Sequence, residues 1–289
     1  MRPQYRFYVE ISVEERSKAS LWRPVGGGTI IRSNWVLTCA HIFGGVYKDV
    51  NARARRGTRG VDEEVIFESE GEFFKHGDYK PRSYQNDIAL VKLYDHVVQT
   101  NDLGFASLPR FNANTNRYTQ ITHNSQFRFC GRGSNIEKES NGNLNYGYAF
   151  VVPMERCKES YVKSTAKSLN VNTQLCAGMQ NSNFPKIGYV SAAGPGDSGG
   201  GMIKTHGGQD YVYGVISFGT TNLKTAGTID GPDVYVKVSN YVDWIKDKIE
   251  KKNDEPIQPP RKRHKPIQHA DVSPQLLMVL AISVGSYFL

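Results

Sequence analysis

The sequence predicts an all-β fold on three observations. Short runs rich in Val, Ile, Tyr and Phe recur between residues 7 and 238, Gly/Asn/Ser turns separate them, and helical spacing stands out at one place near residue 245. In chain order the first run is FYVEIS (7–12), whose aromatic and β-branched residues suit a pleated, half-buried surface. TIIRSNWVLT (29–38) reads as one β-rich run, and IALVKL (88–93) as a buried strand. Between them VNARARRG (50–57) alternates small residues with arginine, which places Arg53 and Arg55 on the solvated face of a strand. In the second half YVYGVISF (211–218) and DVYVKV (233–238) supply two more strands. The stretch 240–250 reads as a closing helix, because Ser239 or Asn240 can cap it and Val242, Ile245 and Ile249 fall on one face.

The composition excludes several classes. With 289 residues, 39% apolar and 28 glycines, the chain is neither disordered throughout nor a small scaffold dependent on metals or staples. Its 4 cysteines, at 39, 130, 157 and 176, form no CxxC or Cys/His cluster, so no zinc site and no cofactor are expected. Acidic residues 62, 63, 64, 68, 70 and 72 lack calcium-loop spacing and read as a solvated strand and loop. The net charge of +8 is concentrated: residues 251–270 hold six Lys/Arg against Asp254 and Glu255. No groove-reading motif or stacking set accompanies that charge, which argues against nucleic acid as a partner.

Residues 1–250 therefore read as one domain, 251–275 as a basic, proline-containing flexible linker, and 276–289 as an apolar tail. The tail, LLMVLAISVGSYFL, falls short of the about 20 residues a membrane-spanning helix needs, and membrane attachment through it is carried as an expectation. MRPQYRFYVEIS at the start has no apolar stretch or small-residue cleavage site, so the expectation is a chain that is incomplete or not exported.

Three short motifs carry the chemistry: Thr38-Cys39-Ala40-His41, Asp87-Ile88-Ala89-Leu90, and Gly194-Pro195-Gly196-Asp197-Ser198-Gly199-Gly200. Each alone is weak evidence, since a histidine after an apolar strand or a glycine-rich turn is commonly structural. A serine hydroxyl becomes a nucleophile only beside a base, and a histidine oriented by a carboxylate is the base that works near neutral pH. In the order His, Asp, Ser the three motifs resemble the chymotrypsin/trypsin-like serine peptidase family. The resemblance covers roughly residues 5–250. NWVLTCAH, FKHGDYKPRSYQNDIALVKL, CGRGS and VISFG with GPDVYVKVSNYVDWI match the family's approach to the histidine, its approach to the aspartate, its GWG turn and its last strands and helix.

The resemblance implies two packed antiparallel β-barrels, roughly 5–110 and 118–238, followed by a C-terminal helix. It implies a secreted or extracellular serine endopeptidase acting on proteins or peptides, with a catalytically inactive binding or regulatory module as the alternative. His41, Asp87 and Ser198 would be the catalytic residues, and the backbone N–H groups of Gly196 and Ser198 the oxyanion hole. Asp197 would be the activation partner of an Ile/Val-Val-Gly-Gly-like N-terminus, a segment upstream of where this sequence begins. Cys157 and Cys176 match a family disulfide. Cys39 is expected unpaired, because Ile42 stands where a cysteine follows the histidine, and Cys130 reads as a buried free thiol. The family's pocket floor falls on Ala192, and Ser217, Phe218 and Gly219 form the edge that pairs with substrate backbone. Asp233 reads as an acid on the pocket wall that would select Lys or Arg; an outward or backbone-bonded Asp233 would instead leave a pocket for apolar or small side chains.

Overall fold

The structure is a computed structural model, described here for residues 5–15, 22–45, 47–56, 61–133, 142–161, 169–178, 193–219 and 231–253. Ala192, Arg59 and the stretch 254–289, with most of the linker and the whole apolar tail, lie outside the described residues.

The first half of the chain closes into a barrel. Its strands are β1 (Tyr8–Glu15), β2 (Trp22–Arg32), β3 (Trp35–Thr38), β4 (Tyr47–Arg56), β5 (Glu64–Lys75) and β6 (Ala89–Leu93), hydrogen-bonded in the order β1-β2-β3-β6-β5-β4 with β4 returning to β1. The run 29–38 is thus two strands, not one. A two-residue turn at Ser33–Asn34 folds it into a hairpin with Arg32 opposite Trp35, so that Ile30 and Val36 pair and are both buried. The alternation in β4 also differs in outcome from its reading. Ala52 and Ala54 point into the core, but Arg53 and Arg55 are covered rather than solvated, because the acids of β5 and its approach reach them. Arg53 pairs with Glu68, while Arg55 meets Glu63 at 3.3 Å and Glu10 at 3.4 Å.

After a two-stranded ribbon, β7 (Phe111–Asn112) with β8 (Arg117–Tyr118), the second half repeats the architecture. The strands β9 (Gln126–Gly131), β10 (Asn145–Val152), β11 (Gln174–Gly178), β12 (Gly201–His206), β13 (Gln209–Phe218) and β14 (Asp233–Lys237) close in the order β10-β11-β14-β13-β12-β9. Helix α1 (Met154–Tyr161) crosses to β11 and is stapled there by a Cys157–Cys176 disulfide with Cα atoms 6.2 Å apart. Cys39 in the first half and Cys130 in the second are free and buried.

The last helix, α2, runs Val242–Asn253, two residues later in start and three later in end than the spacing predicts. Val238–Asn240 forms a tight 3-10 turn, so Ser239 and Asn240 precede the helix instead of capping it. Ile245 and Ile249 are buried in the same cluster as Trp35, and Trp35 Nε1 donates to Asn253 Oδ1 at 3.4 Å. A helix that follows the second barrel therefore packs against the first. Between the barrels lies a seam, crossed by the Gly27 N–H to Ser198 carbonyl bond of 2.7 Å, where the expected site residues meet.

Candidate active site

His41 opens a 3-10 turn directly after β3, and Asp87 directly precedes Ile88 and β6, so hydrogen-bonded neighbouring strands deliver both side chains to one end of the first barrel. Asp87 is completely buried. A buried carboxylate needs its lone pairs occupied, and here four donors converge on it. Oδ1 accepts from the Ala40 N–H at 2.9 Å and the His41 N–H at 2.8 Å, while Oδ2 faces His41 Nδ1 at 2.8 Å and accepts from Ser217 Oγ at 2.5 Å. Facing the second barrel, His41 Nε2 lies 2.9 Å from Ser198 Oγ. The three expected side chains form one hydrogen-bonded row across the seam. In that row Nδ1 carries the proton shared with Asp87, so Nε2 can take one from the serine.

The loop before Ser198 is shaped by backbone geometry only glycine tolerates. Gly196 has φ +98°, and a Cβ there would come within 3.0 Å of Gly133 Cα. Gly199 has φ +86°, and a Cβ would press to 2.2 Å from Thr38 Oγ1, a residue of the other barrel. Asp197 anchors the loop from beneath: Oδ1 accepts from the Gly133 N–H at 2.8 Å and Oδ2 from the Gly194 N–H at 2.9 Å. Burial pushes its carboxyl up to about 6, opposed by those two bonds.

On the other flank of Ser198, Asp233 is 2% exposed and turned inward. Its Oδ2 accepts from the Ala193 N–H at 2.8 Å, so the carboxylate is buried and bonded to local backbone, the arrangement that the sequence reading set beside an acid on a pocket wall. Gly219 leaves room for it, since a Cβ there would sit 2.5 Å from Asp233 Oδ1. Burial pushes the Asp233 carboxyl up to about 7, against the lowering effect of the Ala193 bond. Ser217 is turned to Asp87, while Phe218 packs its ring 5.7 Å from Tyr161 and 5.3 Å from Tyr84.

Tyr84 is the residue that the sequence reading missed here. Its ring stands edge-on 5.3 Å from the His41 imidazole, on a loop whose φ of +54° is unusual for tyrosine. Only its place three residues before Asp87 hinted at it. Cys39 is buried with Sγ 3.9 Å from His41 Nε2, and burial pushes its thiol well up, followed by the charge of Asp87.

Two closed six-stranded barrels, with a serine, an imidazole and a buried carboxylate in a row at their seam, are the architecture of one class of serine peptidase, and the chain belongs to the trypsin family: the family model described as Trypsin matches residues 2–245. Among curated proteins it is similar to tissue-type plasminogen activator of Mus musculus, 30% identical over 77% of this chain and 39% of that protein. Vitamin K-dependent protein C of Oryctolagus cuniculus is 29% identical over 81% of this chain and 48% of its own length. The chain thus spans less than half the length of these relatives.

Proposed function

We propose that this protein is a serine endopeptidase that cleaves protein or peptide substrates after Lys or Arg. The observation that carries the reading is the continuous row Asp87–His41–Ser198, with bonds of 2.8 and 2.9 Å. In this mechanism His41 Nε2 removes the Ser198 proton as Oγ attacks the scissile carbonyl, then returns it to the leaving amine. Asp87 holds the tautomer and stabilises the transient imidazolium. The N–H groups of Gly196 and Ser198 receive the developing oxyanion; one such donor is typically worth ~3 kcal/mol of transition-state stabilisation. Water then hydrolyses the acyl-enzyme by the same route. Asp197 serves as the partner of an activating N-terminal ammonium, because its buried carboxylate accepts two amide bonds and has no ion-pair partner among the described residues.

Basic selectivity follows from Asp233. An isolated carboxylate in this wall is poorly solvated, and a Lys or Arg head group entering from substrate supplies the missing charge. Secretion fits the Cys157–Cys176 bond, since disulfides persist in oxidising compartments. Among the described residues no helix is long and apolar enough to cross a membrane.

The test is direct. In protein carrying the activating N-terminus, a fluorophosphonate probe should label Ser198 and fail on Ser198→Ala and His41→Ala, and peptide hydrolysis should fall by several orders of magnitude in the same variants. Asp233→Ala should lower kcat/KM for Lys and Arg substrates by at least about tenfold, equivalent to ~1.4 kcal/mol, and leave Phe or Leu substrates unchanged or better. Labelling that survives loss of His41, or wild-type preference for Phe that Asp233→Ala leaves alone, would sink the corresponding part of the reading.

A further inference from the structure

Of the four non-glycine residues with left-handed φ among the described residues, two lie within three positions of Asp87: Tyr84 and Asn86, both at +54°. Such backbone is unfavourable for residues other than glycine, persists only where the surroundings hold it, and gathers at functional sites. At Asn86 the groups that hold it are plain. Its side-chain amide donates to the Asp78 carbonyl at 2.9 Å, and its Oδ1 accepts from the Tyr241 hydroxyl at 2.7 Å. Its own carbonyl accepts from the Ile88 N–H at 2.8 Å, so Asp87 is the middle residue of a tight turn with Asn86 as the fixed end.

The grip on Asn86 comes from a part of the chain far away in sequence. Tyr241 joins the 3-10 turn Val238–Asn240 to α2: its N–H donates to the Val238 carbonyl at 2.9 Å, and its carbonyl accepts the first bond of the helix, from the Ile245 N–H at 2.8 Å. The residue is 4% exposed, and burial pushes its phenol up to about 12, so the hydroxyl stays protonated and donates. His76, the residue after β5, closes the circuit. Its ring stands edge-on 5.4 Å from Tyr241 and tilted 5.0 Å from Trp244 of α2. Its Nδ1 accepts from the Asp78 N–H at 3.2 Å, and its backbone N–H donates to the Ile88 carbonyl at 3.0 Å. The connection from β5 to β6 that delivers Asp87 is thus clamped by the start of α2. Placement of this kind is worth a great deal in rate, since moving a group of the site by about 1 Å can cost on the order of a hundredfold.

We propose that Tyr241 is a positioning residue: through its bond to Asn86, the closing helix sets the place of Asp87 against His41. The proposal rests on the peptidase reading above, and its test lets the two fail separately. In protein carrying the activating N-terminus, Tyr241→Phe should lower kcat and the rate of fluorophosphonate labelling by about fivefold with KM unchanged. Asn86→Gly keeps the left-handed φ but loses both side-chain bonds, and should lower kcat by about tenfold. The double variant should be no slower than Asn86→Gly, because the bond that Tyr241→Phe removes is already gone. Val50→Ala, at a fully buried position of β4, should lower Tm and leave kcat as it is. A second measurement needs no turnover: the far-downfield proton resonance of His41 Nδ1–H bonded to Asp87 should move upfield in Tyr241→Phe and Asn86→Gly and stay in place in Val50→Ala. If wild-type protein cleaves nothing while the resonance is present and responds in this way, the positioning role stands and the peptidase reading falls. If wild-type protein cleaves peptides but Tyr241→Phe leaves kcat and the resonance unchanged, the positioning role is wrong. It is equally wrong if the two effects multiply in the double variant, or if Val50→Ala slows turnover as much at an equal loss of Tm. An absent or unresponsive resonance in protein that cleaves nothing removes both.

Discussion

Single residues in this protein are tuned by burial more than by charge partners. Asp233, with its carboxyl pushed up to about 7, should ionise within the working range of a peptidase. The ratio of kcat/KM for an Arg substrate to that for a Phe substrate cancels the shared dependence on His41, and it should rise as pH increases through about 7. In Asp233→Asn the ratio should be flat. The same burial has a stability consequence with a definite sign. An aspartate that titrates near 3.8 when unfolded and about 7 when folded holds its proton more tightly in the native state, so its stabilisation is complete below about 4 and lost as pH rises through about 7. Tm of Asp233→Asn measured against wild type from pH 4 to 8 should therefore gain on wild type as pH rises; a constant difference would contradict it. Ser217→Ala removes one of the four donors to Asp87 and should lower kcat by a fewfold, with a stability loss of about 1–3 kcal/mol in urea unfolding. His41, Asp87 and Ser198 were legible in the sequence because chemistry restricts which residue types can do this work and the flanking motifs fix them. Tyr84 was not, because its ring reaches the His41 imidazole only through the path of the loop that carries it, and no local pattern encodes that.

Elements were legible where their apolar residues run together. The strands at 88–93, 211–218 and 233–238 carry buried faces that no turn interrupts, and they appear in the structure. β5 did not announce itself as a barrel strand, since EVIFESEGEFFK mixes four glutamates into its length, and those at 64 and 68 pair with arginines of β4. The hairpin within 29–38 was hidden for the opposite reason: both of its strands are apolar and Ser-Asn is a weak turn signal beside them. At this scale the disulfide and the last helix offer checks. Opening the Cys157–Cys176 loop by replacing both residues with serine should cost about 3 kcal/mol, seen as a lower urea midpoint, because the sequence separation is 19 residues and the unfolded chain regains that freedom. Ile245→Ala removes a fully buried side chain from the contact between α2 and the first barrel, and should cost about 2–5 kcal/mol.

At the scale of the whole molecule, the two-barrel arrangement means that neither half holds the whole row of Asp87, His41 and Ser198. His41 and Asp87 come from one barrel and Ser198 and Ser217 from the other, and α2 belongs by sequence to the second barrel and by packing to the first. The all-β class was readable from the chain, whereas the division of labour between halves came only with the family resemblance, since it depends on contacts far apart in sequence. The placement of the two free thiols adds something else. Cys39 and Cys130 are both buried in one apolar cluster that residues of the two barrels share, so each thiol reports the parting of the barrels as well as the opening of its own strand. In native protein a thiol reagent can reach either sulfur only when that cluster opens. Two modification rates that coincide would mean that the cluster opens as a single cooperative unit; an early and a late rate would show that one side of it yields before the other.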